Sequence, residues 1–439
     1  MKRGFYTIMA AQFFSSLADN ALLIAAILLL TQLSGPAWLI PLLKFGFTIS
    51  YVALAAFVGA FADSMPKGRV MFITNLVKVG GCIMMFFYAA FSALGISPHV
   101  AVLVAYAVVG LGAAAYSPAK YGILTELLPA RQLVAANGWI EGLTVTSIIL
   151  GTLLGGALVS EAVSSRLLAF DFPYFNMGVD TAGEAAILLI MLAYGIAALF
   201  NLYIPDTGVD HHVPSKNPLY LLHDFYHCCN LLWRDKLGQI SLATTTLFWG
   251  AGATLQFIVL EWARVALNYP LSKASMLQGV VAVGVAVGAI IAARIVPLRR
   301  APSVLPFGTA MGLIVIVMVF VHDVRIAIPL MIMIGGMAGY FVVPMNALLQ
   351  HRGHILMGAG HSIAVQNFNE NLSILIMLGL YALMISLHLS IYTVIVLFGL
   401  FVSGSMVLVR RRHLYNLKHQ DPLQQLSIMR MPDKKRRDR

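Results

Sequence analysis

Two polar residues interrupt the first long apolar segment of the sequence. Asp19 and Asn20 lie about 14 residues after Phe5, which places them roughly 21 Å along a helix and close to the middle of a bilayer. An ionisable side chain at that depth costs about 2.5–3.5 kcal/mol on insertion scales, so it needs a partner or a function. The Asp19 carboxylate could bind a charged headgroup or a proton, or it could form a hydrogen bond that joins two helices.

A lysine follows a proline in a later apolar segment. Lys120 lies in the stretch Ser117-Pro118-Ala119-Lys120, where the proline removes a backbone donor and bends the helix. The bend predicts an inward-pointing lysine that could meet a phosphate or Asp19. The alternative is a lysine that extends its ammonium group to the aqueous surface.

Two further acids lie in apolar segments, each with an amide one helical turn before it. Asn137 precedes Glu141, and Gln366 precedes Glu370. A spacing of four residues puts each pair on one helix face, and polar side chains of a spanning helix face the protein interior rather than lipid. These two polar stripes could line a substrate path or cross-link helices.

A group of histidines and cysteines lies in a hydrophilic stretch near the middle of the chain: His211, His212, His223, His227, Cys228 and Cys229. No second cluster at a familiar spacing completes a tetrahedral set, so we expect no metal site and no cofactor. The apolar residues of this stretch favour an amphipathic helix at the membrane surface instead. They are Leu219, Leu222, Phe225, Tyr226 and Leu232.

The elements that position these residues must lie in a membrane. Of 439 residues, 59% are hydrophobic and only 11% are charged, whereas soluble domains carry about 25% charged residues. Spanning helices need about 20 mostly apolar residues each. The sequence predicts twelve, at approximately 5–33, 38–62, 70–94, 99–124, 133–160, 183–204, 237–262, 273–297, 302–322, 325–349, 358–385 and 389–410. No segment shows the alternation of a barrel strand, so the predicted fold is an all-α membrane protein.

The two halves of the chain share motifs. Gly110–Lys120 in the fourth predicted span parallels Gly336–Asn346 in the tenth, and the two amide–acid pairs occupy matching positions in the fifth and eleventh. This repeat predicts two six-helix bundles related by pseudo-two-fold symmetry, with a site near the midplane between them. The predicted parts are an N-terminal bundle (1–204), a cytoplasmic linker (205–236), a C-terminal bundle (237–412) and a basic cytoplasmic tail (413–439).

Lysine and arginine are distributed unevenly about the predicted spans. Most lie on the side of the N-terminus, and few lie on the other side: Arg166, Arg264, Lys273 and Arg325. Because positive residues favour the cytoplasmic side, both termini are predicted in the cytoplasm. The net charge of +11 is largely in the tail, where it suits an anionic membrane surface. We therefore expect contact with membrane lipids and no nucleic-acid binding.

Five segments of the sequence carry specific motifs: Ala11–Leu23, Gly112–Leu124, Leu247–Thr254, Phe341–Gln350 and Gly358–Asn367. They resemble those of the bacterial lysophospholipid transporter family of the major facilitator superfamily. The resemblance covers roughly residues 5–410 and implies a twelve-helix major facilitator fold with alternating access between the bundles.

The resemblance also implies a substrate class and a location. Lysophosphatidylethanolamine and lysophosphatidylglycerol would move from the outer to the inner leaflet of the bacterial inner membrane. There, in that family, an acyltransferase–acyl carrier protein synthetase re-acylates them. We expect a monomer.

The resemblance assigns roles to several residues of this sequence. Asp19 and Lys120 are implied as polar groups of the substrate path, to which we add Asn20, Asn346 and the two polar stripes. Gln256 stands where the family tends to have an arginine, so the phosphate partner implied on the seventh helix is changed here.

The loop 59–69 between the second and third spans resembles the loop signature of major facilitators, with Gly-x-x-x-Asp followed by Gly-Arg. In that superfamily such residues latch the cytoplasmic ends of the two bundles. The resemblance therefore implies a gating role for Asp63, Lys67 and Arg69. The alternative is ordinary loop charge.

The sequence also bears on two other classes of protein. Membrane acyltransferases usually pair a histidine with an aspartate five positions on, and none of the 12 histidines has one, so we expect no enzyme. The alternative is a proton-coupled major facilitator that exports drugs or small metabolites, because Asp19, Glu141 and Glu370 could titrate.

Overall fold

The computed structural model describes residues 3–127, 130–168, 181–206, 218–357 and 359–419. Within these ranges the chain forms α-helices and three short 3₁₀ turns, and no β-strand. The helices are α1 (Arg3–Gln32), α2 (Leu39–Ala53), α3 (Ala55–Asp63), α4 (Lys67–Phe86), α5 (Pro98–Leu127), α6 (Ala130–Leu158), α7 (Glu161–Leu168), α8 (Ala182–Leu202), α9 (Pro218–Arg234), α10 (Lys236–Ala266), α11 (Leu271–Ile295), α12 (Leu305–Ile316), α13 (Val324–Met357), α14 (Ala359–Ser386) and α15 (Ile391–His419).

In the described part of the chain, 10 helices are long and apolar enough to cross a membrane by themselves. The fifth predicted span corresponds to α6, which is followed by α7 at a bend of 68°. If this bent pair is counted as one span, the described part of the chain has 11 candidate spans. The second predicted span corresponds to α2 and α3, which are separated at Leu54 (φ −102°, ψ 1°). The prediction of an all-helical, multi-pass membrane fold is therefore confirmed.

The two halves pack their helices in the same pattern. In the first half α1 contacts α6 and α8, α4 contacts α5 and α8, and α2 contacts α5. In the second half the corresponding helices make the corresponding contacts: α10 with α14 and α15, α12 with α13 and α15, and α11 with α13. Between the bundles, α6 packs on α11 and α2 on α14. The predicted pseudo-two-fold axis relates these two contacts to each other, since α6 corresponds to α14 and α11 corresponds to α2.

Glycines let α11 and α13 approach closely. A Cβ added at Gly288 would collide with the carbonyl of Gly336, and one added at Gly339 would collide with the carbonyl of Val285. Small residues one turn apart serve this purpose in membrane helices, where backbones must touch to gain packing energy. These glycines therefore pack the C-terminal bundle.

The amphipathic helix expected in the linker is α9. Its buried residues Cys228 and Leu232 pack with Leu242, Leu349 and Val365 of the C-terminal bundle. Its opposite side exposes large apolar side chains, which suits a position at the membrane surface: Leu219, Tyr220, Leu222 and Tyr226.

Some predicted segments lie partly outside the described residues. Residues 169–180, between the fifth and sixth predicted spans, are not described. Of the predicted tail, residues 413–419 are described, and they belong to α15, which continues past the expected end of the twelfth span. His211 and His212 also lie outside the described residues.

Candidate functional site

Asp19 is bound by a lysine from another helix of the N-terminal bundle. Lys78 on α4 places its Nζ 2.9 Å from both carboxylate oxygens of Asp19 on α1. Tyr194 on α8 donates its hydroxyl to Oδ1 of Asp19 at 2.7 Å. The carboxylate therefore joins three helices, and Lys78 balances its charge.

Lys78 is held by further polar and aromatic side chains. Its Nζ also donates to the Ser15 hydroxyl at 2.9 Å, and Ser15 donates to Oδ1 of Asn75 at 2.9 Å. The rings of Tyr116 and Tyr194 have their centroids 5.3 Å from Nζ, within the range of a cation–π contact. The buried ammonium group thus has acceptors for all its donors, as burial of a charge requires.

The two members of the ion pair differ in exposure. The side chain of Lys78 is 1% exposed and that of Asp19 is 21% exposed. The lysine stem fills the space between α4 and α5, since a Cβ added at Gly112 would lie 2.8 Å from Cγ of Lys78. Asp19 is therefore the member that a ligand can reach.

Of the other predicted substrate residues of the N-terminal bundle, Asn20 lies beside Asp19 on α1 and Lys120 lies on α5. The amide of Asn20 donates to the carbonyl of Ser16 on its own helix at 2.8 Å. Lys120 is buried, and its Nζ lies 4.3 Å from the ring centroid of Tyr121. Glu141 belongs to α6, but its side chain lies outside the described part of the structure.

The polar stripe of α14 forms a network with the repeat-related asparagine. Gln366 donates from Nε2 to Oδ1 of Asn346 and to Oε1 of Glu370, both at 2.8 Å. Gln366 and Glu370 are buried, and the network joins α13 to α14. One residue along, Asn367 donates to the Ser117 hydroxyl of α5 at 3.2 Å, which connects the two bundles. The structure therefore brings these predicted residues of the C-terminal bundle together, and their neighbour Asn367 contacts the N-terminal bundle.

Gln256 pairs with another amide side chain. Its Nε2 donates to Oε1 of Gln278 at 3.2 Å, and Nε2 of Gln278 donates to the Gln256 carbonyl at 2.6 Å. This pair joins α10 to α11. Gln256, which stands where the family tends to have an arginine, is thus one member of a neutral hydrogen-bonded pair.

The predicted gating residues lie at the junction of α3, α4 and α5. Lys67 donates to the Ala62 carbonyl at 2.8 Å, and its Nζ lies 3.7 Å from the Glu126 carboxylate. Arg69 is exposed, and Asp63 ends α3 with its side chain outside the described part. These contacts of Lys67 are within the N-terminal bundle.

The C-terminal bundle has an ion pair at the matching end, which the sequence analysis did not single out. Arg352 occupies the repeat position of Glu126 and donates from Nε to Oδ1 of Asp235 at 3.0 Å. Asp235 also accepts from the Gly238 backbone at 2.6 Å and so caps α10. Both side chains are largely buried. Each bundle thus carries an ion pair at this end. The residue on the fourth helix of the bundle is acidic in the first half (Glu126) and basic in the second half (Arg352).

Two pseudo-symmetric six-helix bundles with paired charges and amides in their interior are typical of secondary transporters. Residues 8–377 match the family described as the Major Facilitator Superfamily. The lysophospholipid transporter LplT of Yersinia enterocolitica serotype O:8 / biotype 1B is 40% identical over 388 residues, which are 88% of this chain and 88% of that protein. The chain therefore belongs to the major facilitator superfamily and, within it, to the family of that relative.

Solved structures share the fold at low sequence identity. A bacterial homologue of the iron transporter ferroportin, in an outward-facing state, has a TM-score of 0.65 and 12% identity over 95% of this chain and 100% of its own. The nucleoside transporter NupG (D323A mutant) has a TM-score of 0.67 and 11% identity over 94% of this chain and 100% of its own. The helices of this chain are therefore arranged as in these solved structures.

Proposed function

We propose that this chain moves lysophosphatidylethanolamine and lysophosphatidylglycerol from the outer to the inner leaflet of the bacterial inner membrane. The observation that carries the proposal is 40% identity to a lysophospholipid transporter over 88% of both chains. A match of that length extends over both halves of the chain. Both termini lie in the cytoplasm, and the protein acts as a monomer surrounded by membrane lipids.

The exposed edge of Asp19 supports a role in headgroup recognition. Both headgroups carry hydrogen-bond donors beyond the phosphate: the ammonium of ethanolamine and the hydroxyls of glycerol. Asp19 accepts from these donors while Lys78 and Tyr194 hold its carboxylate in place. A headgroup without such a donor should therefore be a poor substrate.

The phosphate requires donors, and we assign it to groups at the bundle interface. Lys120 supplies the positive charge, while the amides of Gln256, Asn346 and Gln366 supply neutral donors. Glu370 orients Gln366 through their 2.8 Å hydrogen bond. Because these groups belong to both bundles, the phosphate is passed between them as the bundles rock.

Transport should continue when the proton gradient is collapsed. An acyltransferase–acyl carrier protein synthetase on the cytoplasmic face removes the product, so lipid flows down its own gradient. The test adds labelled lysophosphatidylethanolamine to right-side-out spheroplasts of a host without its own transporter and follows conversion to diacyl lipid. Conversion should depend on this protein and survive an uncoupler.

The same assay separates the proposal from the alternative class. Protein-dependent conversion that stops with the uncoupler would keep the substrate and make the transport proton-coupled. No protein-dependent conversion, with the chain well expressed and the acyltransferase active, would contradict the lipid substrate. That result would favour a proton-coupled exporter of drugs or small metabolites.

A further inference from the structure

Three side chains of different chemistry meet where the linker helix packs on the C-terminal bundle. Asp224 and Cys228 lie one turn apart on α9, and His361 lies in the first turn of α14. The ligand atoms of the three side chains all lie within 4.8 Å of one another. The third member is far away in sequence, which is why the histidine and cysteine spacing of the linker did not indicate it.

The separations fit a small metal ion. Zinc bonds of about 2.0 Å to nitrogen or oxygen and about 2.3 Å to sulfur place tetrahedral ligands roughly 3.3–3.5 Å apart. Nε2 of His361 is already 3.3 Å from Oδ2 of Asp224. The Cys228 sulfur lies within 4.8 Å of both atoms, so it must approach them by at most roughly 1.3 Å to complete the same triangle.

The surroundings hold the three ligands in place and leave a way in. Phe225 of α9 packs edge-on against Phe368 of α14, with ring centroids 5.3 Å apart, and Trp233 donates to Asn369 at 3.1 Å. These contacts fix α9 against α14. The side chains of Asp224 and His361 are 41% and 58% exposed, so an ion can enter from water. Cys228 is buried and closes the inner side.

We propose that Asp224, Cys228 and His361 form a Zn²⁺ site with a fourth position open to water. Thiolate, imidazole and carboxylate are the ligand types that zinc takes in proteins. Closed structural zinc sites have four protein ligands, whereas three protein ligands leave the fourth position open to water or another ligand. The site therefore suits reversible control.

Bound zinc would restrain the linker end of the transporter. The ion bridges α9, which lies in the segment that connects the bundles, to α14, which reaches the other bundle through Asn367 and Ser117. Occupancy should therefore slow the rocking of the bundles. This consequence rests on the proposed function, whereas zinc binding itself does not depend on the substrate.

Cobalt titration of the purified full-length protein tests the site. Chelator-treated protein in detergent should bind one Co²⁺ per chain with the absorption of a thiolate-bound tetrahedral ion, and Zn²⁺ should displace it. Cys228→Ser should abolish the thiolate band, and His361→Ala should weaken binding about tenfold or more, since even outer partners of metal ligands contribute that much. Cys229→Ser and His227→Ala, which change neighbours on the same helix, should bind as the unsubstituted protein does.

Three results would overturn the proposal: no saturable Co²⁺ binding, a thiolate band that persists in Cys228→Ser, or one that disappears in Cys229→Ser. If the α9 variants fail to fold, alkylation of the unsubstituted protein gives the answer. Zn²⁺ should protect Cys228 from a maleimide reagent, as mass spectrometry of the labelled peptide would show. Equal labelling with and without Zn²⁺ would contradict the site.

Discussion

Replacing Lys78 with methionine should reduce lysophospholipid transport at least tenfold in the spheroplast assay. Methionine keeps much of the volume between α4 and α5, but it leaves the Asp19 carboxylate without the cation 2.9 Å away. Removing one partner of a buried ion pair costs about 3–5 kcal/mol, because the other charge remains buried and unbalanced. Asp19→Asn should impair transport as well, while the protein still inserts into the membrane.

The neutral double variant Asp19→Asn/Lys78→Met separates the two roles of the pair. It removes both charges, so most of the stability lost in Lys78→Met should return. Transport should stay low, because the headgroup has lost its carboxylate acceptor. A double variant that is both stable and fully active would show that the pair only joins helices, and normal transport by well-expressed Asp19→Asn would have the same meaning.

Replacing Arg352 with methionine should lower the stability of the C-terminal bundle by about 3 kcal/mol, since it leaves Asp235 largely buried without its cation. Asp235 is also the N-cap of α10, so the start of that helix should loosen. The apparent melting temperature of the purified protein in detergent should fall by several degrees.

Arg264→Met is the matched control for Arg352. Arg264 also forms an ion pair, with Glu261, but these side chains are 66% and 34% exposed, and surface pairs contribute about 0–1 kcal/mol. Its melting temperature should stay near that of the unsubstituted protein. Equal shifts in the two variants would contradict the importance of the buried pair.

The sequence was sufficient for the fold because its signals are local or repeated. Apolar segments of about 20 residues predict spanning helices without reference to their neighbours, and the parallel between Gly110–Lys120 and Gly336–Asn346 predicts the two bundles. The break at Leu54 was not predicted. No glycine or proline lies beside it, so no local breaker signal was available.

Partners within the candidate site were harder to predict than its members. Asp19 was singled out by its depth in the membrane, and Lys120, beside a helix bend, was expected to meet either a phosphate or this carboxylate. The structure brings Lys78 to Asp19, which depends on how α1 and α4 are placed in the bundle. A usable signal existed, since single opposite charges in two different spans tend to pair. The hydrogen bond of Glu370 was easier to predict, because its donor Gln366 lies one turn away on the same helix.

The central claim is that this chain itself moves lysophospholipid across a bilayer, and purified protein in proteoliposomes tests it most directly. Fluorescent lysophosphatidylethanolamine is loaded in one leaflet, and its appearance in the other is followed by extraction with albumin. Vesicles with the unsubstituted protein should move the lipid at least tenfold faster than vesicles with Lys78→Met or without protein. Equal rates in all three, with the unsubstituted protein monodisperse and correctly inserted, would contradict the account.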